Sequence, residues 1–96
     1  MPEIDVKRAV IAATSYLQDM KDLMDVKLEN LRLEEVELSE DEREWIITLG
    51  FDTPVRMNPL GKLALGTSSL YQREYKLLKV DSETGEVKSM KIRSLQ

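Results

Sequence analysis

The fold is decided by the stretch WIITLGFD, residues 45–52. Large apolar side chains occupy every second position, at Trp45, Ile47, Leu49 and Phe51. The intervening positions hold Ile46, Thr48, Gly50 and Asp52. An alternation with a period of two is typical of a β-strand that buries one face. The stretch therefore predicts a strand whose aromatic face belongs to the core.

The residues before this strand predict a second, irregular strand over residues 26–38. Its apolar residues keep a period of two in short runs, but the phase slips at Glu29-Asn30 and again at Glu34-Glu35. A phase slip within one strand indicates a β-bulge, in which one extra residue bends and twists the strand. The polar segment 38–43 is short enough to join the two strands as a hairpin connection.

The C-terminal part of the chain predicts a second hairpin, with strands over residues 70–81 and 86–93. Gly85 lies where the connecting turn needs a left-handed residue. A register that pairs Asp81 with Glu86 gives this hairpin one mostly apolar face and leaves Leu78 on the wetter face. On the apolar face, the register predicts four side chains that point to the core: Tyr75, Leu77, Met90 and Ile92.

An amphipathic helix is predicted over residues 3–24, and its periodicity ends at Asp25. Apolar residues recur at spacings of three and four: Val6, Val10, Ala13, Leu17, Met20 and Met24. We expect one α+β domain over residues 1–96, with this helix packed on a four-stranded antiparallel sheet in the order α-β-β-β-β. The predicted core contains Val10, Ala13, Leu17, Met20, Leu33, Trp45, Ile47, Leu49, Phe51, Tyr75, Leu77, Met90 and Ile92.

The composition excludes several kinds of chemistry. The chain has 96 residues, with no Cys and no His. This rules out thiol and histidine-dependent nucleophiles, disulfides, and zinc sites built from Cys or His. We therefore expect a protein that is not an enzyme, with no cofactor and no metal site.

The longest uncharged apolar stretch, residues 9–17, is far shorter than the ~20 residues of a membrane span. No basic leader precedes an apolar run, so we expect a cytoplasmic protein that does not contact membranes.

The charge of the chain is unevenly distributed. Residues 1–50 hold six basic and thirteen acidic residues, whereas residues 51–96 hold eight basic and five acidic residues. Much of the acidic excess lies in residues 34–44, which include Glu40, Asp41 and Glu42. This run is typical of a solvated turn, or alternatively of an acidic patch that binds a basic partner. It lacks the glycine and the spacing of a calcium loop.

Two further surfaces are candidates for partner binding. Residues 53–69 have no clear period, and long irregular connections tend to be functional or mobile. Their apolar members are candidates for binding a partner: Met57, Leu60, Leu63 and Leu65. Alternatively, Leu63 and Leu65 cap the open end of the sheet. The last hairpin offers a basic strand face at Lys76, Lys91 and Arg93. Nucleic acid is not the partner expected for this face, because the sequence pI is about 4.9.

The layout of one helix followed by an antiparallel sheet resembles the cystatin-like fold group. The stretch YKLLKVDSETGEV, residues 75–87, is similar to the C-terminal hairpin of PepSY-type domains, where a D-x-x-T-G-E-V turn joins two strands. This resemblance implies the fold. It carries no protease-inhibitor function, because the Q-x-V-x-G run of cystatins does not occur in this chain.

These observations favour a non-enzymatic domain that acts through protein–protein contacts. Self-association into a homodimer is its simplest form, through an edge strand or an open sheet face lined by Ile46, Leu78 and Val80. The alternative is a small-molecule-binding or catalytic pocket between helix and sheet. Its candidate residues are Asp52, Tyr75, Tyr16 and Asp25.

Overall fold

The computed structural model describes residues 2–54 and 71–93. Within these ranges it confirms the predicted α+β class, with one helix and four strands in the order α-β-β-β-β. The elements are α1 (Val6–Met24), β1 (Glu29–Leu38), β2 (Glu44–Pro54), β3 (Tyr71–Asp81) and β4 (Val87–Arg93). The strands form one sheet in the spatial order β1-β2-β3-β4, and every neighbouring pair is antiparallel.

The helix begins and ends at aspartates. Asp5 is the N-cap, and its carboxylate accepts a hydrogen bond of 2.8 Å from the backbone N–H of Arg8. Such a cap satisfies one of the free N–H groups of the first turn, which is why α1 starts after Asp5 rather than at residue 3. Asp25 adopts the left-handed conformation, with φ of 54°, and ends the helix where the apolar periodicity ends.

Strand β1 is irregular at the two predicted places. Its register with β2 shifts between Glu29 and Arg32 and again between Leu33 and Glu35. Asn30, inside the first shift, has a φ of 52°, a conformation that asparagine tolerates better than most residues. The interpretation of the phase slips as bulges is therefore confirmed.

The core lies between α1 and one face of the sheet, which we call the inner face. The helix contributes Ala9, Ala13 and Leu17, which recur every four residues. The sheet contributes Ile47, Leu49, Phe51, Leu78 and Val80. The small side chains of Ala9 and Ala13 let the helix lie close to the sheet. Val6 was predicted to belong to this stripe but is 40% exposed.

The chain segment before the helix is fixed to the end of the sheet. The backbone N–H of Ile4 donates to the carbonyl of Ser82 over 2.9 Å, and the indole Nε1 of Trp45 donates to the carbonyl of Ile4 over 3.1 Å. The Ile4 side chain is buried in the core beside this anchor. These contacts set where α1 begins relative to the sheet.

The predicted register of the β3–β4 hairpin is wrong beyond its first pair. Val80 pairs with Val87 as expected, but a shift at Lys79 then pairs Leu78 with Met90 and Leu77 with Lys91. One extra residue on β4 causes this shift, and in a period-two structure a shift of one residue moves side chains to the other face.

The shift corrects several predicted core positions. Leu78 and Val80 are fully buried, whereas Tyr75 and Leu77 lie on the outer face of the sheet, opposite the helix. Leu33 and Ile92 were also predicted in the core, but they lie on the two edge strands and are 43% and 81% exposed. Edge positions have strand neighbours on one side only, so less of their surface is covered.

The register predicts different stabilities for two neighbouring leucine variants. Leu78→Ala should lower the free energy of unfolding by about 2–5 kcal/mol, because it opens a cavity in the core. Leu77→Ala, on the other face, should lower it by less than about 1 kcal/mol. Urea unfolding of both variants measures the difference. Equal losses, or a larger loss for Leu77→Ala, would show that the β3–β4 register is different.

Candidate functional site

The face of the sheet opposite α1, which we call the outer face, carries the candidate site. Among the described residues, the helix packs on the inner face only, and no other element lies on the outer face. Strand pairing assigns the outer side chains, because directly paired residues share a face. Thr48 of β2, for example, pairs with Glu35 of β1 and Leu77 of β3, and Leu77 pairs with Lys91 of β4.

One end of the outer face is closed by a group that we call the Arg73 clamp, made of Arg73, Asn30, Glu34 and Asp52. Arg73 Nη1 donates to the carbonyl of Asn30 over 3.0 Å and to Asp52 Oδ1 over 3.1 Å. Its Nη2 donates to Glu34 Oε1 over 3.1 Å. Asn30 Nδ2 donates to Asp52 Oδ2 over 2.7 Å. One guanidinium on β3 therefore holds β2 and both irregular parts of β1.

The absence of a side chain at Gly50 leaves room for the Arg73 clamp. A Cβ at this position would lie 2.9 Å from Glu34 Cγ and 3.1 Å from both Arg73 Nη2 and Tyr75 Cε1. Real Cβ atoms essentially never come within 3.0 Å of another heavy atom, so any other residue would displace the clamp. A glycine inside a strand often marks such a close approach. Here it lets side chains from β1 and β3 meet above the β2 backbone.

A second arginine crosses the outer face from β4. Arg93 Nη1 donates to Glu35 Oε1 over 3.0 Å and to the hydroxyl oxygen of Thr48. Like Arg73, it runs from the basic C-terminal hairpin toward the acidic strand β1. Basic residues from the C-terminal half of the sequence therefore form ion pairs with acidic residues from the N-terminal half across one face of the sheet.

These contacts lower the pKa values of two clamp carboxyl groups. Hydrogen bonds from Arg32 and Arg73 hold the pKa of Glu34 below its ordinary value of 4.5. Hydrogen bonds from Asn30 and Arg73 hold the pKa of Asp52 below its ordinary value of 3.8. Donors favour the ionised form of a carboxyl group, so both groups are ionised at neutral pH.

Beside the clamp, the outer face holds a shallow depression, which we call the outer groove. It is lined by Glu35, Glu37, Ile46, Leu77, Lys79, Lys91, Ile92 and Arg93. Ile46 and Leu77 supply a partly exposed apolar floor between β2 and β3. Glutamates form the rim on β1, and Lys91 and Arg93 form the rim on β4. Within residues 2–54 and 71–93, Glu37, Lys79 and Lys91 make no ion pair.

The predicted acidic site lies in the exposed β1–β2 connection, away from the groove floor. Asp41 accepts hydrogen bonds from the Ser39 hydroxyl over 2.7 Å and from the Arg43 backbone N–H over 3.1 Å, and these bonds lower its pKa. Glu42 has a φ of 60°. Asp41 thus shapes the turn, in which Glu40 and Glu42 are exposed. Binding of a basic partner here stays a prediction.

The predicted basic strand face is not a single surface. Lys91 and Arg93 lie on the outer face, but Lys76 lies on the inner face, because it pairs with Leu49 and Ile92. The β3–β4 shift causes this separation. The predicted self-association surface is corrected in the same way, since Ile46 is on the outer face whereas Leu78 and Val80 are buried under the helix.

Other predicted sites are separated or lie outside the described residues. Asp52 and Tyr75 are on the outer face, while Tyr16 and Asp25 belong to α1 and its C-cap on the other side of the sheet. The sheet therefore separates the residues of the alternative pocket. The apolar loop site falls outside the described residues: Met57, Leu60, Leu63 and Leu65.

Sequence reasoning did not find the Arg73 clamp. Two signals pointed to it: a glycine inside the strongest strand pattern, and phase slips in β1 at Asn30 and Glu34. A glycine in a strand indicates a bulge or a close approach, but it does not identify the side chains that come close.

No comparison identifies the protein. Searches of protein-family models, curated proteins and solved structures found no match for this chain. In the described part of the chain, α1 is too polar to span a membrane. No three carboxylates of the described residues are grouped so that they could hold a metal ion. The cystatin-like and PepSY-like resemblance stays a prediction.

The Arg73 clamp predicts a specific pH dependence of stability. A carboxyl group with a lowered pKa in the folded state stabilises the fold above its unfolded pKa, and this contribution is lost as pH falls through the folded pKa. Because Glu34 and Asp52 have lowered pKa values, the free energy of unfolding should fall as pH is lowered below about 4.5. In Arg73→Met the two pKa values rise toward normal, so the decline should be shallower.

Urea unfolding at several values from about pH 2 to about pH 7, a range that spans the titration of carboxyl groups, measures how the free energy of unfolding changes with pH. Lys79→Met is the matched control, since Lys79 is also a cation on β3 but makes no ion pair among the described residues. Parallel curves for the wild type and Arg73→Met would contradict the role of the clamp. Equal flattening in Lys79→Met would show only a general charge effect.

Proposed function

We propose that this protein is a non-enzymatic interaction domain that binds another protein surface in the outer groove. The observation that carries the proposal is the combination of an apolar floor, at Ile46 and Leu77, with rims of opposite charge on β1 and β4. Apolar area provides free energy of association at roughly 25 cal/mol per Å² removed from water. The opposite rims favour partners with a complementary charge pattern.

Three charged side chains support the choice of the groove over the Arg73 clamp. Both Nη atoms of Arg73 are already paired with the clamp carboxylates and the Asn30 carbonyl, and its Nε is buried, so a partner would have to break existing contacts to use the clamp. Glu37, Lys79 and Lys91 have no such contacts among the described residues and are free to pair with a partner. A cytoplasmic location belongs to the same proposal, and the absence of Cys supports it.

Photo-crosslinking tests the proposed function. A photoreactive benzophenone amino acid placed at Lys79 should form covalent adducts with a protein bound in the groove, because the side chain lines it. The same amino acid at Leu23, which is 84% exposed on α1, is the matched control. Illumination of cells that express each chain, followed by gel analysis and mass spectrometry, measures the adducts.

We expect discrete adducts from position 79 that are absent or much weaker from position 23. Loss of these adducts in the Ile46→Glu variant, with an unchanged circular dichroism spectrum, would locate the binding to the groove. No adduct above the level of position 23 would overturn the proposed function. The masses of the adducts distinguish a second copy of this chain from a different protein.

A further inference from the structure

We propose that the occupant of the outer groove is a second copy of this chain, packed face to face so that β1 of each copy lies over β4 of the other. This inference rests on the proposed function, since it names the partner of the same groove. Its basis is the order of charges across the outer face, which makes that face complementary to itself in one orientation.

In the two rows at the Glu37 end of the outer face, the charges change sign from one edge of the sheet to the other. The following row has an arginine at both edges, Arg32 and Arg93, and each of these pairs with a glutamate of β1. Strand pairing places Glu35, Thr48, Leu77 and Lys91 in one of the two rows across the four strands. The other row runs from Glu37 through Ile46 to Lys79. Each of the two rows thus begins with a carboxylate on β1, passes over uncharged side chains, and has its cation on β3 or β4.

The sign of the charges selects one orientation for two such faces. Symmetric dimers use the same patch on both copies, related by a two-fold axis. An axis parallel to the strands reverses the strand order, so the acidic edge of one copy meets the basic edge of the other. An axis across the strands would place β1 on β1, and like charges directly opposed would be repulsive.

In the favoured orientation, Lys91 of one copy lies over Glu35 of the other, which already pairs with Arg93 of its own chain, and next to Glu37, which makes no ion pair among the described residues. The apolar floors of the two grooves also meet, because β2 of each copy lies over β3 of the other copy. Leu77 of each copy then lies over β2 of the other, beside Ile46, since Thr48 itself is buried. Packed sheets lie about 10 Å apart, which leaves room for lysine and glutamate side chains to meet between them.

The sheet edges are less suited to pairing with a second copy. Strand β1 carries two register shifts and a residue of positive φ, which interrupt its free row of backbone groups. Strand β4 is seven residues long and carries Lys88, Lys91 and Arg93. Short strands and lysine-rich edges are common ways to prevent edge-to-edge association.

The size of the face sets the expected affinity. Four strands spaced about 4.8 Å apart, with about 3.4 Å per residue along seven to ten residues, present roughly 400–600 Å² per copy. This is at the low end for specific interfaces, where association is weak and transient. We therefore expect a dissociation constant in roughly the micromolar range or above.

Charge reversal of the purified full chain tests the inference, with sedimentation velocity over increasing protein concentration as the measurement. Glu37→Lys alone and Lys91→Glu alone should each weaken the dimer at least about tenfold. By symmetry, the first places a cation beside Lys91 of the partner twice, and the second twice places a carboxylate beside Glu35 and Glu37 of the partner. The double variant should recover part of the affinity, because the two reversed charges attract each other again while Glu35 is unchanged. An equimolar mixture of the two single variants should form a heterodimer, which shows that both chains are folded.

Glu40→Lys and Lys27→Glu are matched controls, since both positions are exposed and lie away from the groove. They should leave the dimer unchanged. A strictly monomeric wild-type chain would overturn the inference. Equal dimer strength in wild type, Glu37→Lys and Lys91→Glu would also overturn it. Stronger dimers of the two single variants would overturn it as well, since the orientation with β1 on β1 predicts that reversing one charge relieves repulsion.

The two proposals can fail separately. Adducts from position 79 with a different protein, together with a monomeric purified chain, would support the proposed function and overturn the second copy as its partner. Absence of any groove adduct together with a monomeric chain would overturn both.

Discussion

The side chain of Arg73 is the contact on which the outer face depends. Its guanidinium joins the carbonyl of Asn30 to the carboxylates of Glu34 and Asp52. Charge-assisted hydrogen bonds of this kind are stronger than neutral ones. Because two of the partners lie in the irregular parts of β1, the clamp fixes the path of that strand. Gly50 leaves room beneath it, since a Cβ there would force the Glu34 side chain to shift.

The clamp also divides the outer face into two parts with different roles. At the Asp52 end, arginine and carboxylates neutralise one another, so that part contributes to stability. At the Glu37 end, Ile46 and Leu77 form a partly exposed floor, and the charges of Lys79 and Lys91 lack partners among the described residues. Association with a partner would bury this apolar floor and pair these charges, so the second part is the one that favours binding. The acidic and basic halves of the sequence supply both parts.

Much of the fold could be predicted from the sequence, because its elements follow local rules. The alternation of residues 45–52 identified β2, the phase slips at Asn30 and Glu34 identified the irregular parts of β1, and the failure of periodicity at Asp25 identified the end of the helix. The positive φ of 79° at Gly85 agrees with the turn position given to it. Each of these features depends on a few neighbouring residues, which a pattern captures.

The register of β3–β4 could not be predicted in the same way. An extra residue opposite Lys79 leaves both strands with plausible patterns, and only packing against α1 selects Leu78 and Val80 for the core. That single shift moved Tyr75 and Leu77 to the outer face and separated Lys76 from Lys91. The candidate site was therefore predicted in part, through Ile46, Lys91 and Arg93. The clamp was missed because long side chains reach across strands without leaving a period in the sequence.

Crosslinking of introduced cysteines most directly tests the central claim that the outer face binds itself. The chain has no Cys of its own, so every introduced thiol is unique. Glu37 and Ser89 lie at opposite ends of one row across the sheet. If β1 lies over β4, a mixture of Glu37→Cys and Ser89→Cys chains will be joined by a short bismaleimide, and neither chain alone will form a joined dimer. Joining of Ser89→Cys chains to each other, or no joining in the mixture at concentrations where the chain is dimeric, would contradict the account.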